Sequence, residues 1–480
     1  MKYQTVVHIL GNILVILGGT LGIPTFLAFY YDEPIAVKLA ILSIFIMVLG
    51  AAVSLTIKRT NSIGYREAFT IVSFSWLAAA FVGALPYWVT GVIPDFASAF
   101  FESMSGFTTT GASILTDVEV IPKSIMFWRG LTHWLGGMGI IVLFVALLSQ
   151  LGTGAMQVFK AEASGPITEK VMPRISETAK ILWFTYVIMT VVLALALKFA
   201  GMGWFDSLFH SFSAVSTGGF STKNASIGYF NSATIDWLIT LFMFLGGVNF
   251  TLYFAALRKK SLKRFWENQE FRAYLYITLI SGILISLYLW KDYGSFLEAA
   301  RYGFFQVVSL FTTTGFMSTN YEVWPAFTLG ILFFVMFIGG SAGSTSGGIK
   351  TGRWLVLWKN TGLELKKQFH PKAVFSLRIG SNHYSEGIIV GILQFIALYF
   401  FILIIGSLTI SFLGFDLLTA FTSALACLGN IGPGFGEVGP AENYSHIPAL
   451  GKYILSLLML IGRLELYTIL VLFLPSFWRK

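Results

Sequence analysis

Charge is scarce in this sequence and cysteine is almost absent. Asp, Glu, Lys and Arg make up 11% of the 480 residues, less than half the roughly 25% usual for a soluble globular domain, so a freely dissolved enzyme is excluded. Cys427 stands alone, which excludes an internal disulfide and any cysteine-ligated metal or iron–sulfur site. The six histidines are scattered, without HExxH or paired spacing, and read as ordinary membrane or loop residues. Alternation of apolar and polar residues in segments of about ten is missing too, which excludes a transmembrane β-barrel.

What is present is apolar. Hydrophobic types reach 56% and aromatics 16%, in continuous runs such as Leu39 to Ile57. About 20 such residues make one helical span, and turn signals divide the chain into ten: roughly 5–30, 39–57, 67–90, 127–151, 178–201, 235–257, 272–290, 326–358, 385–413 and 450–476. The first is too long for a signal-peptide core and lacks an AxA-like cleavage site. With the N-terminus inside, 23 of the 32 Lys and Arg residues fall on the cytoplasmic side, which fixes that orientation by the positive-inside rule. The outer face carries 14 acids against 8 bases, a balance that concentrates cations at its entrances. The inner cluster Arg258, Lys259, Lys260, Lys263 and Arg264 reads as juxtamembrane charge facing anionic lipid, not as a nucleic-acid site.

Between successive spans on the outer side lie four apolar segments too short to cross. Each has an acid, a run of about ten apolar residues and a Thr/Ser/Gly turn: DFASAFFESMSGFTTTGAS from Asp95, DSLFHSFSAVSTGGFST from Asp206, EAARYGFFQVVSLFTTTGFMST from Glu298 and DLLTAFTSALACLGNIGPGFG from Asp416. Their glycines Gly111, Gly219, Gly315 and Gly432 align at intervals of 108, 96 and 117 residues, an internal repeat of span, half-span and span. A half-span helix entering from outside would have its N-terminus complemented by the acid. The returning chain leaves carbonyls that membrane depth tolerates only along a watery path. Four such turns around one axis supply oxygens that can replace a cation's water shell, and glycine is needed because aligned carbonyls demand φ > 0. The sequence therefore predicts an all-α polytopic membrane protein: two N-terminal transmembrane helices (1–60), then four span/pore-helix/span repeats around one pore (61–152, 153–260, 261–360 and 361–480).

A second register lies below the turns. The tetrads LGGM at 135–138, LGGV at 245–248, IGGS at 338–341 and IGRL at 461–464 align, so Gly137, Gly247 and Gly340 stand where the fourth repeat has Arg463. A charge at that depth is costly and marks an ion path or a buried pair; Glu465, two residues on, shares no helix face with it. In the third repeat the pair opens GGSAGSTSGGIKTG, Gly339 to Gly352. Only 13 residues, Ala326 to Ile338, precede it, about 20 Å of helix against a core of about 30 Å. The break is therefore expected inside the membrane, with loop and Arg463 together obstructing the path beneath the turns.

At these residues the chain resembles the Trk/Ktr/HKT potassium transporter superfamily, and within it the TrkH type. The resemblance rests on GFTTTGAS at 106–113, STGGFS at 216–221, FTTTGF at 311–316, GNIGPGFG at 429–436, GGSAGSTSGG at 339–348, GRLELYT at 462–468 and WLGGMGI at 134–140. It implies a K+ filter of Thr109, Thr110, Gly111 and Ala112; Thr217, Gly218, Gly219 and Phe220; Thr313, Thr314, Gly315 and Phe316; and Asn430, Ile431, Gly432 and Pro433. It implies a gate at Gly339, Gly340, Gly343, Ser344, Thr345, Ser346, Gly347, Gly348, Lys350 and Arg463. Sodium-favouring relatives carry Ser at the first filter glycine, so Gly111 implies potassium selectivity. The fourth turn departs from the others in having Asn430, Ile431 and Pro433, which makes the ring chemically asymmetric.

The resemblance further implies non-enzymatic potassium uptake through a channel-like pore in the bacterial inner membrane, with both termini cytoplasmic. It implies a homodimer with one pore per subunit, docked on a cytosolic TrkA-like ring that binds nucleotide. No cofactor is expected on this chain, and the basic loops 258–272 and 350–378 are the expected docking surfaces. Two other readings compete. An alternating-access symporter or antiporter would place its sites in inverted repeats, whereas these repeats run in one sense. A quinone- or haem-handling subunit would need His133 and His210 as ligands.

Overall fold

The computed structural model describes residues 2–57, 64–148, 175–371, 373, 375–380 and 382–479. The end of the fourth expected span and most of the basic loop after it lie outside them. Among the described residues, six helices are long and apolar enough to cross a membrane, or up to eight if each sharply bent pair counts as one span. The N-terminal pair, Tyr3–Tyr30 and Ala36–Thr56, packs as a close antiparallel hairpin. Its backbones approach at glycines: a methyl on Gly50 would lie 2.7 Å from the Gly11 carbonyl oxygen, the small-residue contact by which helices associate in lipid.

The repeats follow. The first has Tyr65–Thr90, the half-span helix Phe96–Phe107 and Lys123–Leu148. The second has Ile175–Phe199, the half-span Trp204–Val215, and Ala233–Gly246 continued after a break by Phe250–Lys259. The third has Gln269–Tyr293, the half-span Phe296–Phe311, the short Ala326–Val335 and, beyond the Gly/Ser loop, Thr351–Phe369. The fourth has Glu386–Phe412, the half-span Leu417–Leu428, and Ala449–Arg463 turning into Tyr467–Leu470.

Two of the expected continuous spans are corrected. The span expected at 235–257 bends by 89° after Gly246, and that at 450–476 bends by 113° after Arg463. Both breaks fall at the glycine register, as does the break in the third repeat, whereas the first repeat stays helical through Gly136 and Gly137. Strand is nearly absent among the described residues. Ile338–Gly339 pairs in parallel with Ile349–Lys350 at the base of the loop, and Leu377–Ile379 pairs antiparallel with Asn382–Tyr384 ahead of the helix that starts at Glu386.

Candidate functional site

The four half-span helices start differently and end alike. Asp95 caps the first by accepting from Ser98 N (2.9 Å), and Asp416 caps the fourth by accepting from Leu418 N and Thr419 N (2.9 and 3.0 Å). Hydrogen bonds from Ser98 hold the Asp95 carboxyl below its ordinary range, and those from Thr419 do so for Asp416. The other two acids are not caps. Asp206 and Glu298 sit within the first turn, where they face the positive end of the dipole, and Asp206 accepts from the Thr222 hydroxyl (2.6 Å).

At the inner ends, Thr109, Thr217, Thr313 and Asn430 all take left-handed backbone, with φ of 51°, 54°, 57° and 53°. Each N–H returns three residues and the next N–H five: Thr109 N to Gly106 O (3.1 Å) and Thr110 N to Ser105 O (2.9 Å), repeated through Asn430 N to Cys427 O (3.2 Å) and Ile431 N to Ala426 O (2.8 Å). This is the Schellman closure, with threonine or asparagine where glycine is usual. Two residues on, Gly111, Gly219, Gly315 and Gly432 are left-handed again, at 82°, 85°, 80° and 99°.

These turns meet in a ring. A methyl added to Gly111 would collide with the Gly218 oxygen, one on Gly219 with Thr314 O, one on Gly315 with Ile431 O, and one on Gly432 with Thr110 O. Each turn thus abuts the next, and the fourth abuts the first. Above them opens a vestibule lined by all four glycines. The side chains of Phe220 and Phe316 are buried, Phe220 beside the His133 ring (4.0 Å between centroids) and Phe316 beside His210 (5.9 Å).

Nine residues before each glycine stands a buried polar side chain: Glu102, His210, Gln306 and Ser423. Three of them brace their own turn. Glu102 accepts from Ile114 N (2.9 Å) and the Ser113 hydroxyl, His210 Nε2 meets Ser221 Oγ (2.9 Å), and Gln306 donates to Ser318 Oγ and Thr319 O (3.2 Å each). Glu102 is paired with Arg129 (2.6 Å), which also donates to Ser221 O (3.0 Å) of the second turn. Sequence reasoning missed this set, although the repeat register that aligned the glycines aligns these positions as well. His133 Nε2 accepts from Phe220 N (3.3 Å). Both histidines are therefore structural, and no cluster of metal-ligating residues occurs among the described residues.

Beneath the ring the Gly/Ser loop brings the expected gate residues together. Thr345 Oγ1 reaches Val215 O and Gly246 O (3.1 Å each) and the Thr217 hydroxyl (3.3 Å). Gly347 N donates to Thr313 Oγ1 (2.6 Å), while a methyl on Gly347 would lie 2.8 Å from Asn430 Cβ. The loop therefore touches the innermost residues of three turns. Arg463 closes the side of the first, donating to Thr345 O (2.7 Å) and Gly136 O (3.0 Å). Ser344 Oγ donates to Ser341 O, Gly343 O accepts from Phe250 N (3.0 Å), and Lys350 Nζ donates to Ser346 O. Gly343 and Gly348 are left-handed, and a methyl on Gly340 would lie 2.6 Å from Ser346 Oγ and 2.7 Å from Gly247 O. Gly339 Cα packs on Gly348 across the strand pair.

Glu270, which sequence reasoning missed, ties both arms of the loop. Its Oε1 accepts from Ala342 N (2.8 Å) and Gly352 N (3.0 Å). Glu465 pairs with Arg353 on the helix that follows the loop. A G-x-G-x-x-G string occurs at Gly434, Gly436 and Gly439, but it opens only the 3-10 turn Gly436–Val438 and follows no strand, so its context is not that of a dinucleotide fingerprint.

Comparison with known proteins places this geometry. The TrkH family, described as cation transport proteins, matches residues 36–480. The Trk system potassium uptake protein TrkH of Escherichia coli K12 is 42% identical over 488 aligned residues, with all of both chains covered. TrkG of the same organism, also a Trk system potassium uptake protein, is 32% identical over 99% of each chain. The crystal structure of the potassium transporter TrkH from Vibrio parahaemolyticus superposes with a TM-score of 0.90 at 36% identity, covering all of both chains.

Proposed function

We propose a function from one premise, that this chain belongs to the TrkH family of cation transport proteins: it takes up potassium through a channel-like pore. The observation that carries the proposal is the closed order of contacts, Gly111 to Gly218, Gly219 to Thr314, Gly315 to Ile431 and Gly432 to Thr110. A bare alkali ion needs several oxygens at once to replace its water. Peptide oxygens of Thr109 to Ala112, Thr217 to Phe220, Thr313 to Phe316 and Asn430 to Pro433 provide them without protonation or covalent chemistry, so no enzymatic step is involved.

Residues Gly339 to Gly352, Lys350 and Arg463 act as the gate. In the present arrangement the loop backbone lies under the second, third and fourth turns and the guanidinium beside the first, with cationic groups of Lys350 and Arg463 opposing an ion that would leave the ring inward. Opening requires the Arg463 to Thr345 bond and the Glu270 clasp to part. Glu270 begins the helix that follows the basic segment 258–268, so a cytosolic partner pulling on that segment would release the loop. A TrkA-like nucleotide-binding ring fits that role, with the chain itself paired as a homodimer in a bacterial inner membrane and both termini inside.

Rubidium uptake by reconstituted vesicles tests the reading. Channel-like uptake following the electrochemical gradient, raised in Arg463→Ala and admitting Na+ in Gly111→Ser, is the expected result. Uptake that demands a counter-ion would instead establish alternating access, and absence of K+ or Rb+ uptake with the loop deleted would overturn both.

A further inference from the structure

Across the ring the carbonyls are not equivalent. At the glycine level, Gly111 O, Gly219 O and Gly315 O accept no hydrogen bond from any described residue, and neither do the oxygens of Thr110, Gly218, Thr314 and Ile431 one level below. Gly432 O is the exception: it accepts from the Tyr444 hydroxyl at 2.7 Å. Tyr444 is fixed on every side. Its N–H donates to Ser113 O (2.8 Å) of the first turn and its ring packs on Phe101 (5.3 Å), so the hydroxyl is held in a buried position.

Two independent features accompany this bond. The Gly432 φ of 99° departs from the 80–85° of its three counterparts. A methyl placed on Gly432 would lie 2.6 Å from Thr110 O, farther than at any of the other three junctions. The fourth turn stands back from its neighbour at the level where its carbonyl is engaged.

We propose that Tyr444 is a positioning residue for ion selectivity: its hydroxyl draws the Gly432 carbonyl away from the axis, leaving a three-oxygen site at the glycine level. This rests on the filter reading above. A site with three free oxygens binds a dehydrated cation less tightly than one with four, and weak binding favours release, because conduction requires an ion to leave as well as to enter. Tyr444 thus trades affinity for throughput at the vestibule end of the ring.

Tyr444→Phe deletes the hydroxyl and keeps the ring packing. In vesicles, the half-saturation concentration for Rb+ uptake should fall by about three- to tenfold, the span set by the net worth of one neutral hydrogen bond. The maximal rate should fall with it, and discrimination against Na+ should rise. Tyr321→Phe is the control. Its hydroxyl donates to Gly434 O (3.2 Å), two residues after Gly432 and outside the ring, and its loss should leave half-saturation and discrimination unchanged. Unchanged kinetics in Tyr444→Phe, equal effects in both variants, or a raised half-saturation with added Na+ leak would overturn the proposal, the last because it would mean the hydroxyl only braces the turn. Wild-type protein that moves no Rb+ would instead overturn the filter reading itself.

Discussion

The ring and the layer beneath it are built from the same fourfold repeat and have diverged in opposite ways. In the ring, four different sequences adopt one backbone, with left-handed residues at Thr109, Thr217, Thr313 and Asn430 and again at the glycines. In the layer below, the glycine pairs align in sequence but not in structure. The first repeat remains helical, the second bends by 89°, the third opens into the loop and the fourth turns by 113° after Arg463. On the proposed reading, ion coordination constrains the backbone of every quadrant, whereas a movable barrier needs one segment free to differ, and small residues in the others leave it room.

The same small substitution should separate the two layers most strongly. In Gly219→Ala the new methyl would meet Thr314 O at a left-handed position, so Rb+ uptake should be abolished. In Gly340→Ala the methyl would press on Ser346 and Gly247 O within the loop, so uptake should rise instead. Similar loss in both would end the contrast. Next comes the ring's support. Arg129→Met leaves Glu102 buried without its cation, at a cost of about 3–5 kcal/mol, visible as a lower unfolding temperature in detergent and as Na+ leak.

Glu270→Gln tests the lower layer alone. It weakens a charge-assisted clasp on Ala342 N and Gly352 N, each such bond being worth about 1.5–3 kcal/mol, and should raise partner-independent Rb+ uptake by about tenfold with selectivity intact. Altered selectivity would mean that the layers are not separable. The smallest effect is expected at Asp416→Ala, where a lost cap costs about 1 kcal/mol. Because hydrogen bonding depresses the Asp416 carboxyl, its contribution is present above the ordinary aspartate range and is lost as pH falls through the depressed value. Thermal unfolding of the variant should accordingly differ from wild type at neutral pH and converge with it in acid.

The ring was legible because four separate segments repeat one local pattern, so chance turns are poor rivals. The loop's break was legible from a length, 13 residues before Gly339. The bend after Gly246 was not, since the local sequence there is as apolar as a straight span and the cause is tertiary: loop residues Ser341 and Thr345 take up the carbonyls of Gly247 and Gly246 through their N–H groups (2.8 and 3.3 Å). Glu270 and Tyr444 escaped for the same reason. Glu270 bonds 72 and 82 residues away, and nothing adjacent to it announces the contact. Asp206 and Glu298 look like caps in sequence, yet helix starts at Trp204 and Phe296 place them within the first turn rather than ahead of it.

A ring closed by one polypeptide differs from one assembled from identical subunits in how it responds to mutation. In a symmetric tetramer every substitution arrives four times, and a small chemical change becomes an all-or-nothing one. Here a change at Pro433, Asn430 or the tyrosine behind Gly432 would alter a single quadrant, so on the proposed pore reading permeation would be adjustable in quarter steps.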